Sequence, residues 1–318
     1  MARSKTPPYR GPVKSANPIG ILELDRFSEK SLQQWQAASR DLDEIQDSLY
    51  FGPEPERRRY RSELIAALQA EPPLAIELEK WIRIVTYRYS AAPLSCAGSL
   101  QYIGGRFNAG VDLDSITAWP ALYLAEDLET AFQERFLTTM DKDPSGLFAE
   151  ELALEQLCSH ATVVLHGKLS KVFDLTSQDS LAGIARIFRR IKMPTRAQQL
   201  KRKMNIQNNA CYMVQNARQV YDAMLKHNWR QWPVQFGLPS QSQIVAELIR
   251  AAGFEAILYK STKGPHNCLA VFPDLLQDGS FIALTDEPPE SVLYRRLDAE
   301  SATELEGWDS LPKQQRKK

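Results

Sequence analysis

Residues 240–272, SQSQIVAELIRAAGFEAILYKSTKGPHNCLAVF, decide the fold. The first part, SQSQIVAELIRAAGF, has the apolar spacing of an amphipathic helix and ends at Gly253, a residue suited to the turn that closes a helix. EAILYKS and NCLAVF then read as strands. The same interleaving recurs upstream. IVTYRYS alternates like a strand from Ile84, and Ala121–Leu124 is another strand candidate. LETAFQERFLTTM reads as a helix with Ala131, Phe132 and Phe136 inward. ATVVLHGKLSKVFDLTS (161–177) resembles two short strands separated by a turn near Gly167-Lys168. Strands interleaved with helices, without long parallel repeats, make the class α+β.

The N-terminal part differs. Residues 28–50 place Leu32, Trp35, Leu42, Ile45 and Leu49 at helical spacing, with Ser28 as a capping candidate, and GPEPE (52–56) breaks the helix. RYRSELIAALQ predicts a second helix, and LAIELEKWIRI, after Glu71-Pro72-Pro73, a third. The expected organisation is a flexible arm over 1–19, a helical N-terminal unit over 20–82, a main domain over 83–276 and a C-terminal segment with a basic tail over 277–318. Within the main domain, residues 180–240 read as a helical insertion. There Leu200, Met204, Cys211, Val214, Ala217, Tyr221 and Leu225 recur at helical spacing.

Composition narrows the function classes. Hydrophobic residues make up 43% and charged residues 25%, enough to build a core, and 39 basic residues balance 39 acidic ones. No global field therefore draws the chain to nucleic acid or a membrane. No apolar run is long enough to span a bilayer, and the basic, proline-rich start lacks the apolar stretch of a secretory signal, so the expected setting is cytoplasmic. Four scattered cysteines and four histidines without metal-ligand spacing predict reduced thiols and no metal site. One local exception is RIFRRIKMPTRAQQLKRK (186–203), with eight basic residues and no acidic one. It reads as a solvated basic face or as a surface for an acidic partner.

The candidates for chemistry are Arg88 in TYRYS, Arg106 in QYIGGRFNAG, Tyr123 in ALYLAE, Glu134 in AFQERF and Ser261 in LYKSTKG. Four of the five sit at strand ends or on tight turns. Gly104 and Gly105, directly before Arg106, mark a place where backbone turns sharply or approaches something closely. Glu134 lies at the border of an apolar helix face, where an arginine partner would offset the cost of burial.

Taken in order, YR, GGRFN, ALYLAEDLETAFQE, ATVVLHGKLSKVFDLTS, SQIVAELIRAAGFEAILYKS and NCLAVF resemble the RES-domain family, from about Tyr87 to Phe272. Phe107 stands where that family more often has Trp. The segment VDLDSITAWP lengthens the connection from Arg106 to Tyr123 and reads as an insertion over the site. The resemblance implies an ADP-ribosyltransferase-like mixed sheet and a bacterial toxin that consumes NAD as substrate, with no resident cofactor. It also implies a neutralising antitoxin, often of helix-turn-helix type. A homo-oligomer is left open, and nucleic acid is not an expected partner.

On that reading Glu134, Arg106 and Ser261 are the catalytic set. Glu134 faces the cationic ribose that develops as neutral nicotinamide leaves. Arg106, helped by Arg88, suits the pyrophosphate, and Gly104 and Gly105 let backbone approach it. Tyr123 flanks the nicotinamide ring or is a core aromatic. Ser261 bonds a ribose hydroxyl, bonds Glu134, or caps a turn. Phe107 and Asn108 complete the ligand-binding set, with a turn role the alternative for Asn108. Hydrolysis and phosphorolysis would share this pocket. An ADP-ribosyltransferase and a non-enzymatic interaction module built on 186–203 are the rival readings.

Overall fold

A computed structural model describes residues 29–113, 115–136, 160–208 and 211–306. The expected arm over 1–19, the Ser28 cap, Cys158 and the basic tail lie outside them. In chain order the elements are α1 (Glu29–Phe51), α2 (Glu54–Gln69), β1 (Leu74–Thr86), β2 (Gly104–Gly105), β3 (Asn108–Ala109), β4 (Leu122–Ala125) and α3 (Leu128–Phe136). There follow β5 (His160–Leu175), α4 (Ala182–Phe188), α5 (Thr195–Lys203), α6 (Ala217–Met224), α7 (Gln231–Phe236), α8 (Gln241–Ala251), β6 (Ala256–Lys260), β7 (Asn267–Val271), β8 (Phe281–Leu284), β9 (Arg296–Leu297) and α9 (Ala302–Glu306). The class is α+β.

The chain divides into two units: Met1–Pro55 with Met193–Tyr212, and Glu56–Lys192 with Met213–Lys318. In the first, Ile45 and Leu49 of α1 pack on Ala197 and Leu200 of α5. Arg196 bonds Glu44 at 2.5 Å, and Lys203 bonds Asp41 at 2.6 Å. In the second unit, Arg190 pairs with Glu63 at 2.5 Å. Three members of the basic stretch 186–203 are thus neutralised within their own units.

The second unit is built on a mixed sheet in the order β1-β4-β7-β6-β5-β8-β9. Because β1 also pairs with β5, the pairings among β1, β4, β7, β6 and β5 close on themselves. Only β5 and β6 run parallel in that sheet. Strand alternation separates two apolar layers. Leu122 and Leu124, Leu269 and Val271 face one. Tyr123 and Ala125, Cys268 and Ala270, Ile257 and Tyr259 face the other, which α2, α4, α6 and α8 cover. Phe107 and Tyr123 lie on the helix-covered side.

The structure revises three readings. LAIELEKWIRI is strand, not a third helix. The register slips between Leu78 and Trp81, where Lys80 adopts φ +56°, so one extra residue turns a spacing of two into three and imitates a helix. The stretch 161–175 is one long strand without a turn: Gly167 pairs with Leu78 on one side and Ile282 on the other. Of the residues at helical spacing over 200–225, Leu200 lies in α5 and Ala217 and Tyr221 in α6, and the described residues between the two helices are not helical. Among the cysteines, Cys96, Cys211 and Cys268 are free thiols, the first and last buried.

A buried carboxylate fastens β5 to the segment before β8. Glu255, 0% exposed, accepts from Ser170 N at 2.5 Å, Lys171 N and Gln277 N at 2.8 Å each, and Ser280 Oγ at 3.0 Å. A carboxylate is kept inside at tolerable cost only when its oxygens are paired in this way.

Candidate active site

The site is assembled from a hairpin, a helix and a loop. β2 and β3 pair Gly104 with Ala109 and Gly105 with Asn108, leaving Arg106 and Phe107 at the turn. Gly104 sits at φ +78°, where a side chain would be strained, and a Cβ there would lie 2.6 Å from Gly110 N. A Cβ on Gly105 would run into the Tyr123 hydroxyl and stand 2.7 Å from Asn108 Oδ1. The protein's own contacts therefore require glycine at both positions.

Asn108 braces this hairpin. Its Oδ1 accepts from Gly105 N and from the Tyr123 hydroxyl, both at 2.8 Å. Its Nδ2 donates to Ser99 O at 2.7 Å and Trp119 O at 3.2 Å. The side chain is fully sealed and every hydrogen-bonding position is used within the hairpin frame. Phe107 is also sealed, ring-packed on Tyr259 at 4.7 Å, and is not at a ligand surface. Its backbone N donates to the Tyr123 hydroxyl at 3.0 Å, while Trp119 Nε1 donates to its carbonyl at 3.1 Å. The segment expected to lie over the site thus supplies, through Trp119, a prop for the hairpin. Gln243 on α8 completes the frame. Its Nε2 donates to the carbonyls of Ile103, Gly105 and Asn108, and its Oε1 closes a capping box with Ser240.

Glu134 comes from α3. Asp127 starts that helix by accepting from Thr130 N at 2.9 Å and Thr130 Oγ1 at 2.7 Å. The loop between β6 and β7 brings Ser261 to it. Ser261 Oγ donates to Glu134 Oε1 at 2.6 Å and accepts from Lys263 N at 3.0 Å and Gly264 N at 2.7 Å. Thr262 N also donates to Oε1, at 3.2 Å. Two of the three roles foreseen for Ser261 are thus combined: it caps its turn and holds Glu134. With its hydroxyl so engaged, it is a positioning residue. Glu134 Oε2 makes no hydrogen bond among the described residues.

Three cations interact electrostatically with this carboxylate. Arg106 is buried and donates from Nη1 to Lys226 O at 2.8 Å and Met224 O at 3.3 Å, and from Nη2 to Thr262 Oγ1 at 3.0 Å. Burial lowers its pKa, while the Tyr259 and Glu134 oxygens oppose the shift. Expected to hold pyrophosphate, Arg106 here ties the end of α6 to the loop between β6 and β7. Arg230 and Lys263 are the other two. Desolvation lowers both, and Glu134 raises both. Burial pushes the Tyr123 and Tyr259 hydroxyls well up, so both phenols stay neutral.

Arg88 is not brought into the site. It is exposed on a short 3-10 turn with its guanidinium 5.7 Å from the Tyr89 ring. The arginine that reaches this region from β1 is Arg83, which donates to Tyr123 O at 3.1 Å and Ser95 O at 2.9 Å. Burial lowers it to about 10. Sequence reasoning missed Arg83 because its strand was read as helix. It missed Arg230 and Trp229 because they lie in the insertion. Gln243 did carry a signal, since Ser240 and Gln243 have capping-box spacing.

No family model matches the chain, and no curated protein matches it. Among solved structures, the crystal structure of the M. tuberculosis MbcT–MbcA toxin–antitoxin complex contains a chain that aligns with 77% of this chain and 97% of its own length. The identity is 14% and the TM-score 0.38. A likeness at that level carries no argument about function. Among the described residues, no helix is long and apolar enough to cross a membrane, and no three His, Cys, Asp or Glu side chains gather to hold a metal ion.

Proposed function

We propose that this chain is a RES-type enzyme with an ADP-ribosyltransferase-like core that cleaves the nicotinamide–ribose bond of NAD. The observation that carries the reading is the state of Glu134. One oxygen is held by Ser261 Oγ and Thr262 N, the other makes no hydrogen bond among the described residues, and cations stand around it. Such a carboxylate suits a substrate that is anionic overall yet develops positive charge at one carbon. The cations attract the phosphates, and Oε2 faces the ribose as it takes on oxocarbenium character. Nicotinamide leaves as a neutral molecule and needs no protonation. Attack by water on the ribose carbon then gives ADP-ribose and a proton, while attack by phosphate gives the corresponding sugar phosphate. The resemblance to RES-domain toxins further suggests that an antitoxin, of helix-turn-helix type, occludes the site.

The test is nicotinamide release from NAD by the purified protein, with label on the adenosine half followed in parallel. Free labelled ADP-ribose or its phosphate supports the reading. Label transferred to protein or nucleic acid replaces it with ADP-ribosyl transfer. The nucleic-acid module finds little support in 186–203, where Arg190, Arg196 and Lys203 are already paired.

A further inference from the structure

We propose that Arg230, carried by the helical insertion rather than by the sheet core, binds a phosphate of the ligand at the Glu134 site; this rests on the reading of NAD as that ligand. The guanidinium expected to do this work, Arg106, is buried and already donates to two backbone carbonyls and the Thr262 hydroxyl. A group committed in this way would have to break internal bonds to take a phosphate. Arg230 is placed differently. It is exposed, it makes no ion pair among the described residues, and no side-chain hydrogen bond occupies it there.

What holds Arg230 beside the site is Trp229. That indole is 7% exposed and carries a guanidinium at two places, Arg106 at 5.9 Å and Arg230 at 4.8 Å from its centroid. Arg106 in turn fixes the chain just upstream, through Met224 O and Lys226 O. The insertion is thereby anchored to the hairpin, and its next cation is within electrostatic reach of the Glu134 carboxylate: Glu134 and Tyr123 both act on Arg230 electrostatically, and Arg230 and Arg106 repel Lys263. One carboxylate against Arg106 and Arg230 leaves local positive charge unmatched. A phosphate diester or pyrophosphate supplies the missing anion, and a planar guanidinium can grip it with two parallel hydrogen bonds. The site should therefore prefer a dinucleotide over the corresponding nucleoside.

The experiment is calorimetric titration of the full chain with NAD and with nicotinamide riboside, which lacks phosphate. Wild type and Arg230→Gln are compared, with thermal melting as the folding control. Wild type should bind NAD more tightly than the riboside. Arg230→Gln should weaken NAD about tenfold or more and leave the riboside unchanged, the loss expected for one charge-assisted phosphate contact. Unchanged NAD affinity in Arg230→Gln overturns the assignment, as does equal weakening of both ligands, which would mean that Arg230 only shapes the fold. Failure of folded wild type to bind either ligand overturns the NAD reading and this inference with it.

Discussion

Removing the Asn108 side chain should unfold the hairpin frame far more than it should alter ligand affinity. In the folded chain this amide satisfies Gly105 N, the Tyr123 hydroxyl, Ser99 O and Trp119 O, all in a sealed setting. Asn108→Ala strands these groups together. At about 1–3 kcal/mol for each buried group left unpaired, and with some re-paired by an entering water, the loss is about 2–5 kcal/mol. For a unit of this size that corresponds to a fall in Tm of roughly 5–15 °C. Tyr123→Phe removes one of the same bonds and leaves Phe107 N without its acceptor, at about 1–2 kcal/mol. Because the two side chains share a bond, the losses should not add, and a double-mutant cycle should return a coupling of about 1 kcal/mol. Thermal and urea melting of the four proteins measures all of this. A melting temperature for Asn108→Ala within about 2 °C of wild type, with NAD affinity lowered instead, would refute the argument and restore Asn108 as a ligand contact.

Ser261→Ala should lower the rate of nicotinamide release about 10- to 150-fold, the worth of one hydrogen bond to a charged group, with little change in KM. A change confined to KM would place Ser261 on the substrate instead. Glu255→Ala, far from the chemistry, should cost about 3 kcal/mol or more, since three backbone N–H groups and the Ser280 hydroxyl lose a shared acceptor. Urea unfolding reads this directly, and an unchanged midpoint would show that the buried carboxylate is dispensable.

The α+β class was legible because β6, β7 and α8 each follow their local pattern without interruption. Glu134 and Ser261 were legible as candidates, yet their hydrogen bond joins residues 127 positions apart, which no local spacing encodes. The bulge at Lys80 disguised β1 and with it Arg83, so attention fell on Arg88, which the strand never carries to the site. Phe107 and Asn108 were chosen as ligand contacts, and in the folded chain both side chains are sealed. Their motif builds the hairpin's interior, and only the folded contacts of Tyr123, Trp119 and Gln243 reveal that. Arg230 and Trp229 gave no sequence signal, because an insertion has no periodicity that announces which residue will return to the core.

On the proposed function, Glu134 drives cleavage of the glycosidic bond in NAD. The direct measurement is nicotinamide release by wild type and by Glu134→Gln, a near-isosteric change, in preparations with matching melting curves. Wild type should release nicotinamide, and the variant should lose about 100-fold or more of that rate with NAD binding retained. Equal release by both proteins, or no release from folded wild type that binds NAD, would contradict it.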